Sequence, residues 1–167
     1  RNLMCGRTDV ELTENGKVSA IVTGKRLKDI CFSAAFCSPM KRAKDTLSLI
    51  LSQNDRPRPD ITEDPRIIER DFGYFEAQTN ETHPEFHLRW RLDYDSGRVF
   101  MESIAHMKER IGSFLTDVRR DYASENVLVV THAGAIRIFR MLFGEGKNED
   151  DFLYYGVGNA EILVYPL

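Results

Sequence analysis

Arg42 closes the run Ser38-Pro39-Met40-Lys41-Arg42, where the pattern predicts the first turn of a helix. A cation in that turn opposes the helix dipole, so the placement makes physical sense when an anion lies between the guanidinium and the helix terminus. Phosphate suits the position, because a guanidinium presents a fixed fork of donors to its oxygens that an ammonium cannot reproduce. His132 is placed comparably. It follows the apolar run Val127-Leu128-Val129-Val130 and precedes Ala133-Gly134, small residues that let the backbone approach a ligand closely. A third group, His83-Pro84-Glu85-Phe86-His87, offers a metal-like i, i+4 spacing. Pro84, however, puts His83 at or before any helix start, and no nearby cysteine or third histidine completes a set, so no metal site is expected. His106 falls on the polar side of a helix and reads as solvated.

For Arg42 and His132 to act together, the elements carrying them must end side by side. Thr13 can cap a helix with Val18, Ile21, Val22 and Leu27 as its apolar stripe, ending near Lys28. Residues 30–37 form a short apolar run stopped by Ser38-Pro39, as a buried strand would be, and a helix from Met40 to Ser52 turns Ala43, Leu47, Ile50 and Leu51 inward. Residues 54–66, with Pro57, Pro59 and Pro65, read as a loop with one extended piece around Ile61. A weaker helix is expected from Glu85 to Tyr94, with Phe86, Trp90 and Tyr94 as core aromatics, the alternative being a wall of the substrate pocket. A strong one runs from Glu102 to Tyr122, carrying Ile104, Met107, Ile111, Phe114, Leu115, Val118 and Tyr122 at helical spacing. A strand over 127–130, a helix from Ala135 to Phe143 and a final strand from Glu161 to Tyr165 complete the chain. The alternation predicts an α/β three-layer sandwich: a largely parallel central sheet flanked by helices, with its ligand site at the carboxyl ends of the strands. Both motifs fall there.

The 167 residues fit one domain, 1–167, with a substrate loop or cap at about 78–101. A net charge of -3 and a pI near 5.8 give no global attraction to polyanions, so phosphate binding must be local and nucleic acid is not an expected partner. Cys5, Cys31 and Cys37 are an odd set without C-x-x-C spacing, which suits reduced thiols and a cytoplasmic location. Neither a run of about 18 apolar residues nor a signal-like amino terminus is present, so no membrane is expected.

Four stretches in order carry a family resemblance: Gly6-Arg7-Thr8-Asp9 with Leu12-Thr13-Glu14-Asn15-Gly16, then Ser38 to Thr46, then Glu69-Arg70-Asp71-Phe72-Gly73-Tyr74-Phe75-Glu76, then Thr131 to Gly134. Together they make the chain similar to the histidine phosphatase (phosphoglycerate mutase-like) superfamily, small phosphatase branch. The resemblance implies phosphoryl transfer to a histidine in an Arg-His-Gly motif on the first strand, then hydrolysis, with no cofactor. It implies Arg42, Glu69 and His132 as catalytic residues: Arg42 on the phosphate, Glu69 as proton donor, His132 as the second pocket histidine that stabilises the transition state when charged. It further implies Cys5, Gly6 and Ala133 as substrate-binding residues. Asp71 and Glu76 compete for the role of Glu69, which could instead pair with Arg66 or Arg70.

No Arg-His-Gly occurs in these residues, so the nucleophile, one phosphate arginine and a central strand are expected upstream of Arg1; the alternative is a natural fragment. Phe72 stands where the mutase branch usually has tyrosine and Gly134 where it has asparagine, which favours a phosphatase. Met101-Glu102-Ser103 replaces a frequent Gly-Glu-Ser. The expected function is a phosphomonoesterase for a small phosphorylated metabolite, the alternatives being a phosphoglycerate mutase-like activity or an inactive phospho-ligand binder. A homodimer is left open.

Overall fold

A computed structural model describes residues 5–78, 101–145 and 157–167 of the chain. Its helices are α1 (Glu14–Arg26), α2 (Lys41–Leu51), α3 (Ile104–Asp121) and α4 (Ala133–Leu142), and its strands β1 (Ala34–Cys37), β2 (Asp60–Glu63) and β3 (Val127–Val130). The strands form one sheet in the order β2-β1-β3, with both pairings parallel. The extended piece around Ile61 is thus a sheet strand. The predicted cap at about 78–101 and the helix at 85–94 with its aromatic cluster lie almost wholly outside the described residues, as do His83 and His87.

Successive residues of a strand point to opposite faces, and the two cores follow that alternation. Ala35, Cys37, Leu128 and Val130 pack with α1 and α2. Phe36, Val127 and Val129 pack with α3 and α4. The result is the expected α/β/α layering. Burial of α2 and α3 follows the predicted positions: Ala43, Leu47, Ile50 and Leu51 on one, Ile104, Met107, Ile111, Phe114, Leu115 and Val118 on the other.

Helix α1 follows its predicted stripe only in part: Leu27, at its C-cap, is buried in the core, but the valines are not. Val18 and Val22 are 60% and 53% exposed, and the inward face is Ala20, Thr23 and Gly24. The reason is proximity: a Cβ added to Gly24 would lie 2.7 Å from the Ile50 carbonyl oxygen of α2. Small residues permit that approach and large apolar ones are turned out.

The predicted strand from Glu161 to Tyr165 is also absent. A strand exists only as a ladder with a neighbour, and this segment instead docks through its side chains. Ile162 packs against the α1/α2 core and Tyr165 stacks on Phe143 with ring centroids 4.2 Å apart, while Val164 is 86% exposed. Two boundaries also differ from expectation. β1 begins at Ala34 rather than Ile30, after a turn in which the Ile30 N–H donates to the Leu27 carbonyl. α4 begins at Ala133, with His132 as its N-cap residue. Among the described residues, no helix is long and apolar enough to cross a membrane.

Candidate functional site

The β1–β3 register pairs Cys37 with Val130, and the ladder runs on as the Ser38 N–H donates to the Val130 carbonyl at 3.1 Å. Two residues remote in sequence, Ser38 and His132, are therefore neighbours at the carboxyl end of the sheet. The His132 ring Nε2 lies 2.7 Å from Ser38 Oγ. Both residues are buried. Thr131 Oγ1 donates to the Ile67 carbonyl at 2.6 Å, which ties the same strand end to the segment carrying Glu69.

Met40 at the N-cap of α2 contributes no side-chain bond. The carboxylate of Asp9 takes its place, accepting from the Lys41 N–H at 2.9 Å and fixing residues 5–9 over the helix start. Arg42 holds that loop from below: its guanidinium donates to the carbonyls of Thr8 (3.0 Å), Cys5 (3.3 Å) and Gly6 (2.8 Å). Glu76 holds it from the other side. Its carboxylate accepts from the N–H of Arg7 at 2.7 Å, the N–H and hydroxyl of Thr8 at 3.0 and 2.6 Å, and the N–H of Phe72 at 3.2 Å. Burial would raise the pKa of Glu76, but these donors, led by the Thr8 hydroxyl, outweigh it and leave the group below the usual carboxylate range. Glu76 is thus a clamp held in its charged form.

Gly6 fits because it has no side chain. An added Cβ would lie 2.1 Å from Glu76 Oε1, 2.5 Å from Phe72 and 2.7 Å from the Arg70 carbonyl oxygen. Since one of those atoms is backbone, Gly6→Ala should destabilise the intact protein by about 1–3 kcal/mol, read as a lower urea midpoint at unchanged m-value. An unchanged midpoint would show that the loop can move without cost.

Glu69 and its two competitors are separated by environment. Glu69 is 7% exposed. Its carboxylate accepts from the Arg70 N–H at 2.7 Å and, at the start of α4, from the Gly134 N–H at 3.1 Å. Burial pushes its pKa up, against these two bonds and the charges of Arg42 and Arg110. Asp71 is more open: its side chain is 41% exposed, pairs loosely with Arg7 at 3.6 Å and accepts from the Gly73 N–H. The alternative, a Glu69 paired with Arg66, is not what the structure has: the Arg66 guanidinium contacts Asp64 and Asp117.

A buried carboxylate that the sequence did not single out, Glu102, binds the whole rim. It accepts from Arg110 Nε and Nη2 at 2.7 and 3.0 Å, from Arg7 Nη2 at 3.1 Å and from the Asp71 N–H at 3.3 Å, and contacts His106 Nδ1 at 2.7 Å. Burial raises its pKa, but Arg110, His106 and Arg7 more than offset this and hold it ionised. Arg110 also donates to the carbonyls of Arg66 (2.6 Å) and Ile68 (2.8 Å), so the loop carrying Glu69 is fastened to α3. Glu102 lies just before the Ser103 N-cap of α3 and Arg110 within that helix, so the pair joins the helix to the segment that precedes it. His106, read as solvated, has an exposed ring but joins this cluster.

Arg42, Glu69, His132, Cys5 and Ala133 all line one end of a groove of about 640 Å³. The groove runs along β3, whose residues Val127 to Val130 form one wall, to Glu125 and Asn126 at the far end. Of the predicted site residues, Gly6 alone stands behind this surface, packed under Glu76. His132 is neutral here: burial, and then the charges of Arg42 and Arg110, depress its pKa to about 3. The arrangement offers guanidinium and imidazole donors to an anion and a buried acid that retains its proton to higher pH than usual.

A family model described as the histidine phosphatase superfamily (branch 1) matches residues 1–166. The 2,3-bisphosphoglycerate-dependent phosphoglycerate mutase 2 of Gloeobacter violaceus is 33% identical over 147 residues, spanning 84% of this chain and 67% of that protein. A 2,3-bisphosphoglycerate-dependent phosphoglycerate mutase of Cytophaga hutchinsonii is 33% identical over 163 residues, spanning 90% and 73%. Among solved structures, Bacillus stearothermophilus YhfR superimposes with a TM-score of 0.79 at 24% identity, covering 93% of this chain and 77% of that one. A mycobacterial glucosyl-3-phosphoglycerate phosphatase gives 0.77 at 21% identity, covering 95% and 81%. A putative α-ribazole-5'-P phosphatase of Escherichia coli gives 0.76 at 22% identity, covering 95% and 79%.

Proposed function

Because the chain belongs to the histidine phosphatase superfamily, we propose that it serves as a phosphomonoesterase for a small phosphorylated metabolite, working through a phosphohistidine. The observation that carries this reading is the meeting of Arg42, Glu69 and His132 at one end of the groove. Arg42 neutralises charge on the phosphoryl oxygens and His132 donates to one of them. As the bond from phosphorus to the leaving oxygen breaks, Glu69 gives that oxygen its proton; in the second step the Glu69 carboxylate takes a proton from the attacking water.

His132 is not the nucleophile in this scheme, since its Nε2 is engaged by Ser38 in a buried contact. The attacking histidine is proposed to arrive on an extended segment lying along β3 in the groove. The wall of that groove is a strand paired on one side with β1, and an extended segment satisfies the backbone of its other edge.

A mutase reading has its own support in the 33% identity to proteins named phosphoglycerate mutases. Against it stands Phe72, in place of the tyrosine usual in the mutase branch: it is 4% exposed and brings no hydroxyl. A mutase must also retain its intermediate rather than yield it to water. The test is to assay the intact protein on an aryl phosphate with and without chelator, and on 3-phosphoglycerate with a bisphosphorylated primer. Release of inorganic phosphate that is indifferent to chelator is expected. Activity lost in chelator and restored by a divalent ion would overturn the mechanism, isomerisation without phosphate release would establish the mutase, and binding without turnover would leave a phospho-ligand binder.

A further inference from the structure

The Ser38–His132 contact does more than pack two buried residues. We infer that Ser38 is a positioning residue: its hydroxyl donates to Nε2 of His132 and so fixes the ring with its single proton on Nδ1, the nitrogen left for the ligand. A neutral imidazole has one N–H and one lone pair, and the hydrogen bond at one nitrogen decides which role remains for the other. Ser38 Oγ already receives the Met40 N–H, at 3.4 Å. Among the described residues, His132 is the acceptor its hydroxyl proton reaches, at 2.7 Å.

The fold makes the pair rigid. Ser38 is fully buried and its backbone continues the β1 ladder, whereas His132 ends β3 and opens α4. The backbones that carry the two side chains are therefore held side by side, and burial leaves the hydroxyl and the ring facing each other. The charges around the imidazole are Arg42 from α2, Arg110 from α3 and the carboxyl of Glu69 beside the first turn of α4. Burial, and then the charges of the two guanidinium groups, disfavour an imidazolium, so before an anion arrives the ring is a neutral donor. A neutral donor is useful only if its proton faces the anion; with the proton on Nε2, the Nδ1 lone pair would confront the phosphoryl oxygens instead. The catalytic consequence rests on the phosphomonoesterase reading, but the tautomer does not.

The experiment therefore has two readouts. Ring ¹⁵N spectra of the intact, uniformly labelled protein at neutral pH, with His132 assigned by the signal lost in His132→Asn, should show a single neutral tautomer carrying its proton on Nδ1. A ring protonated on Nε2, or an even mixture, would overturn the assignment in the wild-type protein, whatever any variant does. Ser38→Ala should then mix the tautomers and lower kcat about 10- to 100-fold with a smaller change in KM. Ser38→Thr, which keeps the hydroxyl, should restore both the tautomer and most of kcat. If the tautomer mixes in Ser38→Ala while kcat stays at the wild-type value, Ser38 has no positioning role. If no phosphomonoester is turned over at all, the functional reading fails while the ring spectra still decide the tautomer.

Discussion

Arg42→Lys is expected to lower kcat on phosphomonoesters by one to two orders of magnitude, and Arg42→Ala by about 10²–10³-fold. Two losses combine in these values. The guanidinium is the charge placed to neutralise phosphoryl oxygens, and it also supports the loop over α2 through three carbonyls, those of Cys5, Gly6 and Thr8. An ammonium keeps the charge but has neither the planar fork nor the reach to satisfy three carbonyls and a phosphate together. The effect should be measured as kcat/KM on an aryl phosphate, beside an unfolding curve for the same sample. A lysine variant with wild-type kinetics would remove Arg42 from the site, and a loss of activity that merely tracks unfolding would reduce it to a structural role.

Glu69→Gln should slow hydrolysis of alkyl phosphates by about 10²–10³-fold while leaving activated aryl phosphates within about tenfold of wild type. A nitrophenolate departs without help, whereas an alkoxide needs a proton as its bond to phosphorus breaks. Burial makes Glu69 suited to supply that proton, because its pKa is raised and the acid form persists to higher pH than for an exposed glutamate. The sign of the pH effect follows. In the wild type, kcat on an alkyl phosphate should fall as pH rises through the raised pKa, and in Glu69→Gln that descending limb should disappear. Equal slowing across a series of leaving groups would assign the acid elsewhere, with Asp71 the more open candidate.

How much was legible in the sequence depended on the range of the interaction. The buried positions of α2 and α3 were readable because helical periodicity is local: Leu47 and Ile50, or Met107 and Ile111, announce their own face. The face of α1 was not, since Ala20 and Gly24 are buried by the closeness of a second helix, which no hydrophobic pattern encodes. The strand expected over 161–165 failed for a related reason: its apolar composition is a property of the segment, but pairing belongs to a neighbour. Arg42, Glu69 and His132 were identified through motif order and strand ends. The sequence preferred Glu69 over Asp71 and Glu76 through the family resemblance alone, since the physical difference among them lies in burial and in donors up to 69 residues away. The Ser38–His132 contact, 94 residues apart, and the Glu102–Arg7 pair, 95 apart, were likewise outside any local pattern.

Arg7 is gripped at both ends by carboxylates from the other side of the site: Glu76 takes its backbone N–H and Glu102 its guanidinium. Glu102 also takes the Asp71 N–H and anchors Arg110, which carries the carbonyls around Glu69. The loop that meets Arg42 and the loop that bears the acid are consequently one thermodynamic unit. Free-energy changes from substitutions in the two loops need not add, because each perturbs the reference state of the other. In evolutionary terms such a site is expected to be epistatic: a change at Arg7 or Thr8 should alter which residues are tolerable between Glu69 and Glu76.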